Sequence, residues 1–227
     1  MKISVLKLLL PLLAWLAVGN ARANVILIDN WDFESPNVNG HLTYRPSGAG
    51  WNFTLLTGVA ANGSAFNVVN AMGNQAGFVQ NDQFNSSLLS QDLSGFISSN
   101  FYTVRFIAQG RNSGVGTNPL NVFLGGNLLT FTYDNSTVVK PVSGTTFYSY
   151  ESVPITGLSG TQTLAFQGIT QTYDQTTFID NVQVFSPGDA VAGPFGPAAV
   201  PEPSALSLII LGLGGVVALR RVRRKAD

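Results

Sequence analysis

The chain has 227 residues, with 12 Lys and Arg against 12 Asp and Glu, a single histidine and no cysteine. Lacking cysteine, it has no disulfide scaffold, no thiolate nucleophile and no sulfur-ligated metal site. Eight of the 12 bases lie in the two end segments, so residues 24–186 carry only Arg45, Arg105, Arg111 and Lys140 against nine acids, which excludes an electrostatic footprint for DNA or RNA.

Lys2 and Lys7 make a basic start, residues 8–18 an apolar core, and Ala21-Arg22-Ala23 fits the small-x-small rule of signal peptidase. This predicts a signal peptide over 1–23 and a mature chain starting at Asn24. A retained N-terminal anchor is the alternative. Residues 24–30 read as a short apolar strand leading into Trp31-Asp32-Phe33-Glu34, where alternation puts Asp32 and Glu34 on one face. Residues 37–50 read as loop, broken by Gly40, Pro46, Gly48 and Gly50. Strands are predicted over 51–55, 65–69, 75–80 and 88–93, with a turn at Asn62-Gly63. Trp31 and Trp51 each begin an inward-facing alternation and are assigned to the core.

The clearest strand is 101–109. Tyr102, Val104, Phe106 and Ala108 share one face; Thr103, Arg105, Ile107 and Gln109 share the other. A Gly- and Asn-rich loop follows over 110–118. Leu120, Val122 and Leu124 alternate before the Gly125-Gly126 turn, and 128–133 returns as a hairpin partner. Segments 146–153, 161–168 and 176–185 complete the set. About ten short strands with frequent turns and no long 3.6-residue period predict an all-β sandwich. Residues 187–199 are Pro-, Gly- and Ala-rich and read as a linker.

The last segment, 200–227, has three parts in order. Pro201-Glu202-Pro203 comes first, then an uncharged apolar run over 204–219, then Arg220, Arg221, Arg223, Arg224 and Lys225. The run is slightly under the ~20 residues of a full transmembrane helix, and the bases stay cytoplasmic by the positive-inside rule. This tail resembles the PEP-CTERM protein-sorting signal. The resemblance implies export, recognition by a membrane-bound exosortase and cleavage near the triplet, releasing the protein to the cell surface or extracellular matrix. A plain C-terminal membrane anchor is the alternative, with the two prolines only delaying the helix start.

The domain resembles the jelly-roll, galactose-binding-like group that includes many carbohydrate-binding modules. The residues that carry the likeness are Asn30-Trp31-Asp32-Phe33-Glu34, Gly50-Trp51, the strand from 101 to 108, and Phe178-Ile179-Asp180-Asn181-Val182. It implies a jelly-roll β-sandwich that binds glycans through a concave sheet face or through loops at one end. It also implies a structural Ca²⁺ held at the Glu34 and Asp180 positions. Asp32 joins that set because alternation puts it on Glu34's face, and in a closed sandwich the terminal strands are neighbours. The alternative is that Glu34 caps a loop by accepting backbone N–H groups while Asp180 faces solvent.

A sugar site needs flat aromatics for pyranose faces and planar polar groups for hydroxyls. Tyr44, Arg45, Arg111, Asn112 and Tyr173 are loop residues of those types. A Tyr44 packed beneath its own loop and a solvated Arg111 are the competing reading. His41 is the only histidine, so no Ser-His-Asp or Cys-His arrangement is built around it. Asp32 and Glu34 could pose as a glycosidase pair, but they would sit at a sandwich edge rather than across a cleft. The chain reads as an exported, non-catalytic surface or matrix protein that binds extracellular polysaccharide. A structural or adhesive protein that binds other proteins is the rival, and a carbohydrate hydrolase comes third.

Overall fold

Among the described residues the short alternating segments settle into thirteen strands. They are β1 (Leu42–Tyr44), β2 (Asn52–Phe53), β3 (Thr57–Ala61), β4 (Gln75–Asn81), β5 (Leu88–Phe96), β6 (Phe101–Gly110) and β7 (Leu120–Leu124). The rest are β8 (Asn127–Leu128), β9 (Val138–Val139), β10 (Tyr148–Glu151), β11 (Ile155–Thr156), β12 (Gly160–Gly168) and β13 (Gln175–Phe185). The computed structural model describes residues 26–81, 86–112, 118–170 and 174–186, all inside one compact unit, Met1–Pro187. The segments assigned to the signal peptide, the linker and the sorting tail lie outside the described residues.

Two antiparallel sheets pack face to face as a jelly-roll sandwich. One runs β1-β3-β4-β13-β6-β10, with β11 also on β6. The other runs β2-β5-β12-β7-β8, with β9 also on β7. Alternation decides which side chains meet between them. Tyr102, Val104, Phe106 and Ala108 of β6 enter the core together, as their spacing requires. Leu120, Val122 and Leu124 of β7 and Leu164 and Phe166 of β12 meet them from the other sheet. The Phe106 ring sits 5.0 Å from Phe166, 5.7 Å from Phe131 and 5.6 Å from Tyr150, centroid to centroid. Each such buried side chain contributes about 1.5–3 kcal/mol.

Strand β13 contains an irregularity that its sequence conceals. Ile179, Val182 and Val184 all face the core, although three positions separate the first two. A β-bulge resolves the mismatch. Asp180 pairs with Ile107 and Gln183 with Arg105, so β13 carries one residue more than β6, and Asn181 takes φ 49°. The bulge also receives the N-terminal segment: Ile26 bridges Val184, and the Val182 N–H donates to the Trp31 carbonyl at 2.9 Å. The first and last segments are therefore neighbours.

Several segments depart from the sequence reading. Of 24–30, Ile26 forms only an isolated bridge. Residues 29–32 form a turn closed by the Phe33 N–H on the Asn30 carbonyl at 3.1 Å, with Asn30 and Phe33 at positive φ. That turn buries Phe33 against Trp51, rings stacked at 5.1 Å, and leaves Trp31 36% exposed; only Trp51 is core. Residues 65–69 form no strand, because Asn67 and Asn70 take φ near 60° and fold the segment over the sheet as a cover. Its Phe66 and Val68 pack on Phe78 and Phe178, making a second apolar cluster on the outer face of the first sheet. Strand β1 lies inside the stretch read as loop, and β3 occupies residues up to the predicted turn. After β8 the expected strand stops, since residues 131–136 close on themselves.

Candidate functional site

Antiparallel register gathers one group of side chains at a single end of the first sheet. Gln175 of β13 pairs with Asn81 of β4, and Thr177 of β13 pairs with Gly110 of β6. The last residues of β4, the first of β13 and the residue after β6 therefore converge, with β1 close by. Tyr44 donates its hydroxyl hydrogen to Gln80 Oε1, and Gln80 Nε2 donates to Asp174 Oδ1. Arg111 approaches the other oxygen of Asp174 at 3.9 Å. Phe66 completes the group: the Arg111 guanidinium lies over its ring at 4.3 Å, and Tyr44 meets it edge-on at 6.0 Å. Cation–π contact and the ion pair together fix the guanidinium plane.

The group is half open to solvent. Tyr44 is 37% exposed and Asp174 is exposed, while Gln80 is buried beneath them. Burial holds the Tyr44 hydroxyl above its ordinary pKa, helped by the Asp174 charge and opposed by Arg111 and the Gln80 hydrogen bond. It stays a protonated donor at neutral pH. The face thus presents a phenol ring, a fixed guanidinium and a carboxylate side by side.

Two of the five sequence-chosen ligand residues, Tyr44 and Arg111, are therefore brought together. Arg45 is exposed with φ 50°; its backbone N–H donates to the Thr57 carbonyl at 3.0 Å, and its side chain stands outside the group. Asn112 is exposed and also stands apart. Tyr173 lies outside the described residues, as do Ala21, Ala23, Pro201, Glu202 and Pro203. Sequence reasoning missed Gln80, Asp174 and Phe66. Gln80 ends a strand that was foreseen, so its neighbours were legible only once the partner strands were known.

The three carboxylates assigned to calcium each accept backbone N–H groups. Glu34 Oε1 accepts the backbone N–H groups of Asn74 at 2.7 Å and Gln75 at 3.0 Å, and Oε2 faces Asn74 Nδ2 at 3.3 Å. This is the loop-capping alternative for Glu34. Asp180, by contrast, is fully buried rather than facing solvent; it accepts the Met72 and Asn181 backbone N–H groups, each at 2.7 Å. Asp32 sits in the turn and receives the Glu34 N–H at 3.4 Å. Asp32 and Glu34 are close enough to raise the pKa of Asp180; among the described residues, no three or more His, Cys, Asp or Glu side chains are gathered as a metal-holding group. Turn geometry, not strand alternation, governs where Asp32 points. Backbone amides supply the positive partners that calcium was expected to supply.

The sorting tail is matched directly. Residues 199–225 match the PEP-CTERM protein-sorting motif. The PEP-CTERM tail marks the chain as exported, with a C-terminal membrane-anchor region processed by exosortase. No curated protein matches the chain. Among solved structures, TmCBM61 in complex with β-1,4-galactotriose is 18% identical over 69% of this chain and 95% of its own, with TM-score 0.48. Arabinose-bound MgGH51 α-L-arabinofuranosidase is 16% identical over 74% of this chain but only 27% of its own, with TM-score 0.49. The CBM22-1 xylan-binding domain from Paenibacillus barcinonensis Xyn10C is 12% identical over 61% and 86%, with TM-score 0.41.

Proposed function

We propose that the protein is a non-catalytic glycan-binding module, exported and then sorted by its PEP-CTERM tail to the cell surface or extracellular matrix. The observation that carries this reading is the Tyr44–Gln80–Asp174–Arg111 network seated on Phe66. A pyranose offers an apolar face and a rim of hydroxyls that both donate and accept. The network answers with an exposed phenol ring, a guanidinium held in one plane, and a carboxylate with a solvent-facing edge. Because the side chains are already bonded to one another, little rotamer freedom is lost on binding.

The non-catalytic part rests on where the acids lie. The carboxyl with the most perturbed pKa, Asp180, is sealed from solvent and bonded to two backbone amides, so no substrate reaches it. Glu34 is likewise committed to backbone N–H groups. Neither is free to serve as the general acid or nucleophile of a glycosidase, which needs two carboxyl groups flanking a scissile bond.

Titration calorimetry of the full chain against extracellular matrix polysaccharide tests the reading. Tyr44→Ala with Arg111→Ala is expected to weaken binding about tenfold or more, from loss of an aromatic contact and a planar donor. Unchanged affinity in the double variant moves the site elsewhere. Absence of any polysaccharide binding, with retained attachment to matrix proteins, turns the assignment to an adhesive protein.

A further inference from the structure

A second concavity lies away from the group just described, where the turn after β8, strand β9 and the edge strand β10 meet. It is a shallow hollow with a volume of about 40 Å³, lined by Phe131, Tyr133, Asp134, Val139, Lys140 and Tyr150 among others. That is room for a hydroxyl or hydroxymethyl group of one sugar ring, with the ring itself lying outside the hollow against its rim. Its floor is apolar: Phe131, Val139 and Tyr150 are buried core residues. Its rim is polar, with Asp134 and Lys140 both exposed.

Tyr133 gives the cleft its character. It is 81% exposed, the second most exposed large apolar side chain among the described residues, after Leu27. The turn that carries it is tied down by backbone hydrogen bonds. The Phe131 N–H donates to the Ser136 carbonyl at 2.8 Å, the Asn135 N–H returns to the Phe131 carbonyl at 3.0 Å, and the Ser136 N–H binds Asp134 Oδ1 at 3.0 Å. On the sheet side, the Thr132 N–H donates to the Glu151 carbonyl at 2.9 Å. The ring meets Tyr150 edge-on, centroids 6.5 Å apart, so its faces are not stacked on a protein neighbour. An aromatic ring left uncovered on a hydrogen-bonded turn is suited to receive a flat apolar partner.

The polar groups fit the same ligand. Lys140 forms no ion pair among the described residues, although Asp134 lines the same cleft. Asp134 has one oxygen on Ser136 and a second with no protein donor among the described residues. The Tyr150 hydroxyl has no hydrogen-bond partner among the described residues, and burial, reinforced by Tyr133 and Asp134, pushes its pKa up to about 12, so it remains a donor. The cleft offers two donors and one acceptor around an aromatic wall, with its charges balanced. We infer that this cleft is a separate binding site for a single neutral pyranose unit, taken end-on from the terminus or a branch of a glycan. A uronic acid gains nothing over a neutral unit, because Asp134 offsets Lys140.

The inference shares the glycan-binding premise of the proposed function but concerns a different site, and short sugars separate the two. The full chain is titrated with lactose, maltose, cellobiose and xylobiose, with digalacturonic acid as the acidic probe. At least one neutral disaccharide is expected to bind, with Tyr133→Ala weakening it about tenfold and Tyr133→Phe leaving it within about twofold. Lys140→Met and Tyr150→Phe, which leave the floor filled, should each weaken it, while Tyr44→Ala with Arg111→Ala should not. Binding of no neutral disaccharide, binding insensitive to Tyr133→Ala, or preference for the diuronate overturns the cleft assignment. Retained matrix-polysaccharide affinity in the Tyr133→Ala chain would then leave the Tyr44 face standing alone.

Discussion

The Met72 backbone N–H donates to the Asp180 carboxylate at 2.7 Å, joining residues 108 positions apart. That bond ties the loop before β4 onto the outer face of β13, beside the bulge at Asn181. It is made by a carboxyl group with no access to water. Burial pushes the Asp180 pKa up to about 8 from 3.8; the two backbone N–H bonds pull the other way, and the charges of Asp32 and Glu34 add to the rise.

Stability is expected to fall with rising pH because of this group. An acid with a higher pKa in the folded state binds its proton preferentially there. Its contribution is fully present below 3.8, declines as pH rises, and is lost on passing through about 8. The total is on the order of a few kcal/mol. Urea denaturation at intervals from pH 4 to 9 reads it out. Asp180→Asn keeps an acceptor for Met72 and cannot ionise, so its profile should be flatter across that window. An equal slope in the variant would show that Asp180 does not titrate in this range.

Glu34 is expected to act as a capping residue. Its Oε1 takes two backbone N–H groups at the entrance to β4, and Gly73 packs so close that a Cβ there would lie 2.6 Å from that oxygen. Removing the acceptor leaves a partly buried N–H unpaired, at about 1–3 kcal/mol. Glu34→Ala should therefore lower stability, and Gly73→Ala should do so too, through both contact and its φ of 87°. Melting of the wild-type chain in chelator and in added Ca²⁺, with elemental analysis, checks the metal question separately. With amides filling the carboxylates' needs, both midpoints should coincide. A midpoint lowered by chelator and raised by Ca²⁺ would restore the calcium assignment.

The strands with regular alternation were legible in the sequence: β6, β7, β12 and most of β4 follow from which residues are apolar at every second position. The bulge was not, because Ile179 and Val182 look out of phase until the pairing with β6 is known. Segment 65–69 alternates as a strand would, yet its apolar side chains are satisfied by covering Phe78 and Phe178 rather than by pairing. The face holding Tyr44 and Arg111 was half legible for the same reason. Residue types suggested the ring and the guanidinium, but Gln80 and Asp174 join them only through sheet order. The cleft at Tyr133 was hidden altogether, since 128–133 reads as a continuous strand and the turn depends on Asn135 at φ 56°.

The PEP-CTERM tail is expected to be absent from the mature protein. The Pro201-Glu202-Pro203 triplet precedes an apolar run that is short for a permanent span. Intact mass of protein recovered from the producing cells should correspond to a chain starting at Asn24 and ending near the triplet. A mass that still contains residues 204–227 would make the tail a permanent anchor.

Gly58→Ala is expected to disable the Tyr44 face without touching it. Gly58 lies in β3, opposite Tyr44 of β1 and Phe78 of β4. A Cβ at this position would lie 2.1 Å from the Thr43 carbonyl oxygen and 2.8 Å from the Phe78 ring. The first is backbone and has no rotamer to yield, so β1 must move away from β3. Tyr44 then leaves Phe78, whose ring it meets edge-on at 5.1 Å, and loses its reach to Gln80. Overpacking of this kind costs about 1–3 kcal/mol. Thermal melting should show that loss, and calorimetry with matrix polysaccharide should show affinity lowered to the level of Tyr44→Ala. Disaccharide binding at the Tyr133 cleft, which lies on other strands, should persist. A Gly58→Ala chain with wild-type polysaccharide affinity would mean that glycan recognition does not depend on where β1 places Tyr44.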